Sequence, residues 1–300
     1  MVSQWLDPAL GMDRDHYEGA LKPFCDGLAI VIAVDHPTAI NLVNQDTIAT
    51  WGRSLDELLA VATGNLAKRS TTKFERVDGR LYVSAFEDQY DASRLLIPGL
   101  FEELPLRGDP IAIAMSRSGI IVAGSEDIDA LQSMASFVES RQEEETRPIS
   151  NLPLVLRGGE WRQFDCSGPP FAALDRLRAM QWLQDYADQK MLLDPYFERI
   201  GRDVYVGKLN GIRVEDRIRT YATWTGEAIS LLPEADVVVL TKDNMSRKMV
   251  RCWSDVVEQC GPLKLEPGLY PRRFLVETGP DEGAWVRLSR CEHPAWFGEI

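Results

Sequence analysis

The densest run of groups able to do chemistry in this 300-residue chain is Phe86-Glu87-Asp88-Gln89-Tyr90-Asp91-Ala92-Ser93-Arg94. Carboxylates beside an arginine at this spacing suit a hydrolase, with Glu87 or Asp91 as acid or base and Arg94 holding an anion. A helix starting at Asp91 could itself bind an anion with help from Arg94. The same residues equally suit a scaffold, in which Asp91 caps the helix and Arg94 ties it to a neighbouring loop.

Other routes to catalysis are poorly supplied. The three histidines, His16, His36 and His293, lie at a turn or near the ends, so a histidine triad or zinc site is not expected. Phosphate-cradle, dinucleotide-fold, nucleophile-elbow and zinc-protease motifs are missing, and the reading implies no cofactor and no metal. Cys25, Cys166, Cys252, Cys260 and Cys291 are scattered without a C-x-x-C pair, as reduced and mostly buried thiols of a cytoplasmic protein would be.

A second cluster runs from Pro195 to Trp224, where Tyr196, Tyr205, Tyr221 and Trp224 alternate with basic residues that include Arg213 and Arg219. Aromatics with arginine are what protein-binding surfaces concentrate, since they give large contact area and directed donors. Tyr205, Arg213, Arg219, Tyr221 and Trp224 are the expected binding residues. The alternative is a set of half-buried strand aromatics with solvated charges between them.

Charge narrows the partners. A formal net charge of -13 and an isoelectric point near 4.8 oppose nucleic-acid binding and repel anionic membranes. With 45% apolar residues and no apolar run near the ~20 residues of a membrane span, the expectation is a globular cytoplasmic protein.

The elements that must hold these residues follow from pattern. A hairpin about Asp35-His36-Pro37, with strands near 28–34 and 39–43, precedes a helix that Ser54 and Glu57 cap. Asp78-Gly79 and Ser118-Gly119 mark two more hairpins, and Ser125 opens a helix with Ile128, Leu131, Ala135 and Val138 on one face. The polar stretch 140–151 reads as a linker. Beyond it, Met249, Trp253, Val256 and Cys260 suggest one helical face, and the segment 272–288 an extra hairpin.

"FERVDGRLYVS" at 74–84 returns as "FERIGRDVYVG" at 197–207, with Phe74, Glu75, Arg76, Tyr82 and Val83 each matched, and Arg94 at the same offset as Arg217. The expectation is therefore an α+β protein of two tandem related domains, each an antiparallel sheet with helices packed on one face. Its parts are an N-terminal helical segment 1–27, a first repeat 28–139, the linker 140–151, and a second repeat 152–300 with a C-terminal hairpin.

Trp51-Gly52, Leu58, Asn65-Leu66, Tyr90-Asp91-Ala92-Ser93-Arg94-Leu95-Leu96, Gly108-Asp109 and Ser116-Arg117 give residues 51–139 a likeness to a known group. This third of the chain resembles the YtpQ-like family of uncharacterised bacterial proteins. The resemblance implies an architecture and a cytoplasmic bacterial setting, and it implies no catalytic residue. The function expected is a non-enzymatic protein-binding module, of adaptor or immunity type, with an unidentified protein partner. The alternatives are a hydrolase at 87–94 and small-ligand binding in a groove between the two halves.

Overall fold

A computed structural model describes residues 20–25, 27–36, 39–71, 73–141, 148–243 and 245–298. The chain is an α+β protein that divides into two units, one within Asp15–Arg178 and one holding Ala179–Ile300.

The first unit opens with β1 (Leu21–Cys25), β2 (Leu28–Val31), β3 (Ala33–His36) and β4 (Ala39–Leu42), paired as two antiparallel hairpins, β1 with β2 and β3 with β4. Residues 21–25 were expected within a helical segment and are a strand; 1–19 and 26 lie outside the described residues. The strand expected over 28–34 breaks at Ile32, which sinks into a small core with Val43 and Ile48. Asn44 caps α1 (Gln45–Trp51) by accepting from the Thr47 amide. α2 (Leu55–Arg69) carries the expected capping box, Ser54 Oγ accepting from the Glu57 amide while Glu57 accepts from the Ser54 amide. Leu55, Leu58 and Leu59 of α2 pack on the small core, yet no residue of the helix is fully buried.

β5 (Phe74–Val77) and β6 (Leu81–Ser84) turn at Asp78-Gly79, where both φ angles are positive, as a tight hairpin requires. A 3-10 turn, Ala92–Leu96, leads into the short α3 (Gly99–Glu102). β7 (Pro110–Ser116) and β8 (Gly119–Gly124) form the expected hairpin, but it turns at Arg117-Ser118, with Gly119 already paired to Ser116, and α4 (Ile128–Arg141) follows. β9 (Leu154–Arg157) and β10 (Glu160–Gln163) complete a six-stranded antiparallel sheet in the order β10-β9-β7-β8-β6-β5.

β7 and β8 are almost continuously apolar because both faces of this sheet are covered. Ile111, Ile113, Ile121 and Ala123 meet Leu131, Met134, Ala135 and Val138 of α4, joined by Leu174 and Leu177. Ala112, Ala114, Ile120 and Val122 meet Leu95, Leu100, Phe101 and Trp161 on the other side. Helices on a single face were expected; the alternation within β7 and β8 feeds two cores instead. Nor does 140–151 separate domains. Pro148 bridges Ser116, the Ile149 and Ser150 amides bond to β7 carbonyls, and Val155 pairs with Ile111, so the chain after the polar stretch returns to the same sheet.

The division falls within α5 (Ala172–Arg199), whose first turns serve the first core and whose Tyr186, Leu193 and Phe197 serve the second unit. There, β11 (Tyr205–Val206), β12 (Asn210–Val214), β13 (Arg217–Thr225), β14 (Ser230–Pro233), β15 (Val237–Lys242) and β16 (Arg247–Cys252) precede α6 (Trp253–Cys260). β17 (Lys264–Leu265), β18 (Arg273–Val276) and α7 (Glu282–Ser289) close the unit. Two four-stranded sheets result, β11-β14-β18-β17 and β12-β13-β15-β16, with parallel pairs β11/β14 and β13/β15.

The two units are not copies of one fold. Phe74 begins a strand whereas Phe197 lies in α5, the strand orders differ, and the second unit's sheets are mixed. The same "FER" packs its Phe on a core from a strand at Phe74 and from a helix at Phe197. Residues 247–252, expected in a helix with Met249, form the return strand β16. The second arm of the expected tail hairpin is α7, since Asp281 accepts from the Ala284 amide and Ala284, Trp285 and Leu288 share a helical face.

Candidate functional site

The cluster at 87–94 folds inward. Arg94 is fully buried; its Nη1 and Nη2 donate to Asp88 Oδ1 and Oδ2 at 2.9 and 2.7 Å and its Nε donates to Ser70 Oγ at 2.9 Å. The guanidinium also stacks 3.6 Å over the Phe86 ring. Hydrogen bonds from Arg94 and from the Tyr90 amide hold the Asp88 carboxyl below its usual range. This is the tie expected for Arg94, made to Asp88 within its own unit.

Asp91 does not cap the 3-10 turn. Its own backbone is helical and its side chain turns into the protein, Oδ1 accepting from the Phe86 amide at 3.4 Å. Oδ2 is buried with no hydrogen-bond partner among the described residues. Glu87, the third candidate, is exposed with φ 60. The three expected catalytic residues thus share a loop without converging: Glu87 faces solvent, Asp91 the interior, and Arg94 is closed on Asp88. Burial, with the Asp35 carboxylate as a further influence, raises the Tyr90 phenol. Arg217, at the offset of Arg94, lies half-buried on β13 opposite Val214, in a strand where Arg94 is in a 3-10 turn.

The face expected over 205–224 is divided by the register of its sheet. Arg213 pairs with Ile218 and Arg219 with Ile212, and neighbours on β13 alternate, so Arg213 and Arg219 project from opposite faces. Trp224 is buried with Leu232, Val238 and Leu240, while Tyr221, of the opposite parity, stacks edge-on against Phe297 at 5.4 Å. Tyr205 is exposed on β11 of the other sheet, under Lys190 at 5.0 Å. Arg219 faces Asp236 at 3.9 Å. These five residues do not make one surface, because a nine-residue strand sends half of its aromatics inward.

One buried group escaped the sequence reading. Arg273 is fully buried and donates to Gln189 Oε1 and to the carbonyls of Tyr186, Gly207 and Leu231, tying α5 to β14 and β18. Burial pulls its pKa down to about 10. Nothing in the local pattern Pro271-Arg272-Arg273 tells which arginine turns inward except the two-residue alternation of β18.

An open groove of about 540 Å³ lies in the first unit, between α2 and the segment 96–99, with the cross-strand pair Lys22 and Ile30 at one side. Leu59, Leu96, Ile97 and Pro98 make it apolar. Along α2 its wall is Ala60, Thr63, Gly64 and Ala67, one small-residue face at helical spacing. A Cβ built on Gly64 meets nothing within 4 Å, so no neighbour among the described residues requires glycine there. Val61 beside it is 61% exposed.

Among the described residues no three His, Cys, Asp or Glu side chains could hold a metal ion, and no helix is long and apolar enough to cross a membrane. The chain matches no protein-family model, no curated protein and no solved structure.

Proposed function

We propose that the chain is a cytoplasmic, non-enzymatic module that binds another protein, and that the groove along α2 receives an apolar segment of that partner. The observation that carries this reading is Gly64. A glycine inside a helix costs about 1 kcal/mol against alanine. Here no contact among the described residues explains it, whereas a partner's side chain or backbone approaching along Ala60, Gly64 and Ala67 would need the space. The stretch that resembles the YtpQ-like family, residues 51–139, includes α2 and the 96–99 segment, so the groove belongs to the part with that likeness. The bidentate closure of Arg94 on Asp88 supports a scaffold role for the polar loop next to it.

The test fills the groove. Gly64→Leu should leave the melting temperature unchanged or slightly raised, since the new side chain meets open space and favours the helix. Native lysate is passed over wild type and variant, and a stoichiometric partner is then purified and titrated against both. Binding by wild type that Gly64→Leu reduces at least tenfold supports the groove. Equal binding by both removes it as the docking site.

A further inference from the structure

The groove beside α2 runs from Lys22, whose ammonium pairs with Asp56 in the first turn of α2, to Ala67 and Leu96. Just past Ala67, Ser70 is the C-cap of α2, and its Oγ accepts from Nε of Arg94, which stands shortly before Leu96. That bond joins the end of α2 to the 3-10 turn and shuts this end of the groove. From Ala60 to Ala67 the helical wall is about 10 Å long, room for roughly three extended residues. A chain lying in the groove therefore stops at Arg94.

Arg94 is equipped to receive a chain end. Stacked on Phe86 and seated on Ser70, its guanidinium presents a fork that holds both oxygens of one carboxylate. That carboxylate is Asp88, whose side chain is 27% exposed, so it reaches water where the guanidinium does not. The loop that delivers Asp88 is strained. Glu87 and Gln89, on either side of it, both have left-handed backbones, φ 60 and 61, which residues with a side chain adopt at a cost. In the same loop Asp91 Oδ2 is buried with no hydrogen-bond partner among the described residues, and Oδ1 accepts from the Phe86 amide only at 3.4 Å. The ion pair to Arg94 offsets these costs, and another carboxylate on Arg94 would let the loop relax. Exposed Arg69, the last residue of α2, is near enough for its charge to be felt at Asp88 and would draw a second carboxylate to the same place.

We propose that Arg94 is a carboxylate-binding site which the chain's own Asp88 occupies in the free protein, and that it takes the C-terminal carboxylate of a partner segment lying in the groove. The assignment of a chain end rests on the groove being the docking site. On binding, Asp88 swings out to solvent, the terminal carboxylate takes its two bonds from Arg94, and the apolar residues before the terminus lie between Gly64 and Ala67 on one side and Ile97 and Pro98 on the other. An acidic side chain within a longer partner does not fit, because the chain beyond it would have to pass through the bridge between Ser70 and Arg94. Without a ligand the Asp88 pair remains the scaffold contact already described.

The probes are acetyl-Val-Ala-Leu as the free acid and as its C-terminal amide, titrated by calorimetry against the full chain as wild type, Asp88→Ala and Gly64→Leu. Thermal melts check that each variant folds, and Asp88→Asn, which keeps an acceptor for Arg94, replaces Asp88→Ala if that variant does not. The acid should bind Asp88→Ala at least tenfold tighter than the amide does, and at least tenfold tighter than it binds wild type, where Asp88 competes. Sodium acetate should raise the melting temperature of Asp88→Ala more than acetamide or sodium chloride does. Equal affinity of acid and amide for Asp88→Ala, or equal affinity of the acid for Asp88→Ala and wild type, overturns the proposal. If Gly64→Leu weakens both probes alike and no protein prefers the acid, the groove stands and the carboxylate site falls. A preference for the acid that Gly64→Leu leaves intact upholds the carboxylate site and removes the groove.

Discussion

Arg94 and Arg273 are both fully buried guanidiniums, and the fold satisfies them in opposite ways. Arg94 meets a carboxylate that is itself partly open to water, so its charge is balanced; Arg273 meets an amide and three carbonyls, so its charge is only solvated. Removing one partner of a buried pair costs more than the pair contributes, because the other charge stays behind. Arg94→Met should therefore lower stability by on the order of 3 kcal/mol, read from urea unfolding, and Arg94→Met with Asp88→Asn should recover part of it. No recovery would mean that Asp88 is not the group left stranded. Tyr186 gives a pH test next to Arg273. It accepts from the Glu234 amide at 3.1 Å and donates to the Arg272 carbonyl at 2.7 Å, and burial pushes its phenol up to about 12 from an ordinary 10. In the unfolded chain the phenol ionises from pH 10, while in the fold it keeps its proton. Its contribution is thus intact below pH 10 and is lost as pH rises towards 12, by on the order of 2 kcal/mol. Tyr186→Phe should be less stable at pH 7 but flatter in denaturant stability between pH 10 and 12; equal slopes would contradict the assignment.

At the scale of elements, the end of β8 leaves no room for a side chain at Gly124. A Cβ on Gly124 would stand 2.2 Å from the Arg107 carbonyl oxygen, and the loop that blocks it is itself fastened. The Ser125 amide donates to the Asp109 carbonyl, the Asp109 amide to Ser125 Oγ, and the Glu126 amide to the Arg107 carbonyl. Gly124→Ala should cost about 2 kcal/mol by overpacking, whereas Gly79→Ala, with open space but positive φ, should cost about 1 kcal/mol from backbone strain alone. Equal melting temperatures for the two would refute the crowding. Where sequence signals are local, they were legible: the Ser54 capping box, the Asp78-Gly79 turn and the apolar face of α4 stand as read, and the β7–β8 hairpin forms with its turn one residue earlier than read. Where identity depends on distant pairing, the reading failed. "RKMVRC" carries apolar spacing compatible with a helix, and only pairing to β15 makes it β16. Trp224 looked like a surface anchor because aromatic content does not say which parity of β13 faces the core. The same blindness hid Arg273, while for Arg94 the tie was legible and its partner Asp88 was not named.

For the whole molecule, the decisive contact is the return of the chain to β7 after residue 148. A polar run without large apolar side chains has no core to join, which made 140–151 look like a domain boundary. Instead the chain re-enters beside Ser116 and lays β9 against Ile111 and Ala112, so the first sheet is built from segments some forty residues apart. Trp161 then reaches across, its indole N–H donating to the Leu95 carbonyl at 2.8 Å and its ring edge-on to Phe101 at 4.9 Å. Leu174 and Leu177 close the opposite face. A chain stopped after Asn151 keeps every residue of the domain that composition suggested, yet it bares the β7 edge and strips large side chains from both cores, each worth roughly 1.5–3 kcal/mol when buried. That loss exceeds what a domain of this size holds in reserve, a net of roughly 5–15 kcal/mol. The fragment ending at Asn151 should give no cooperative thermal transition by circular dichroism and should aggregate. A fragment ending at Arg178 retains β9, β10, Trp161, Leu174 and Leu177 and should melt cooperatively. A sharp transition in the shorter fragment would show that β9 and β10 are additions to a sheet already complete, and the boundary would then return to residue 151.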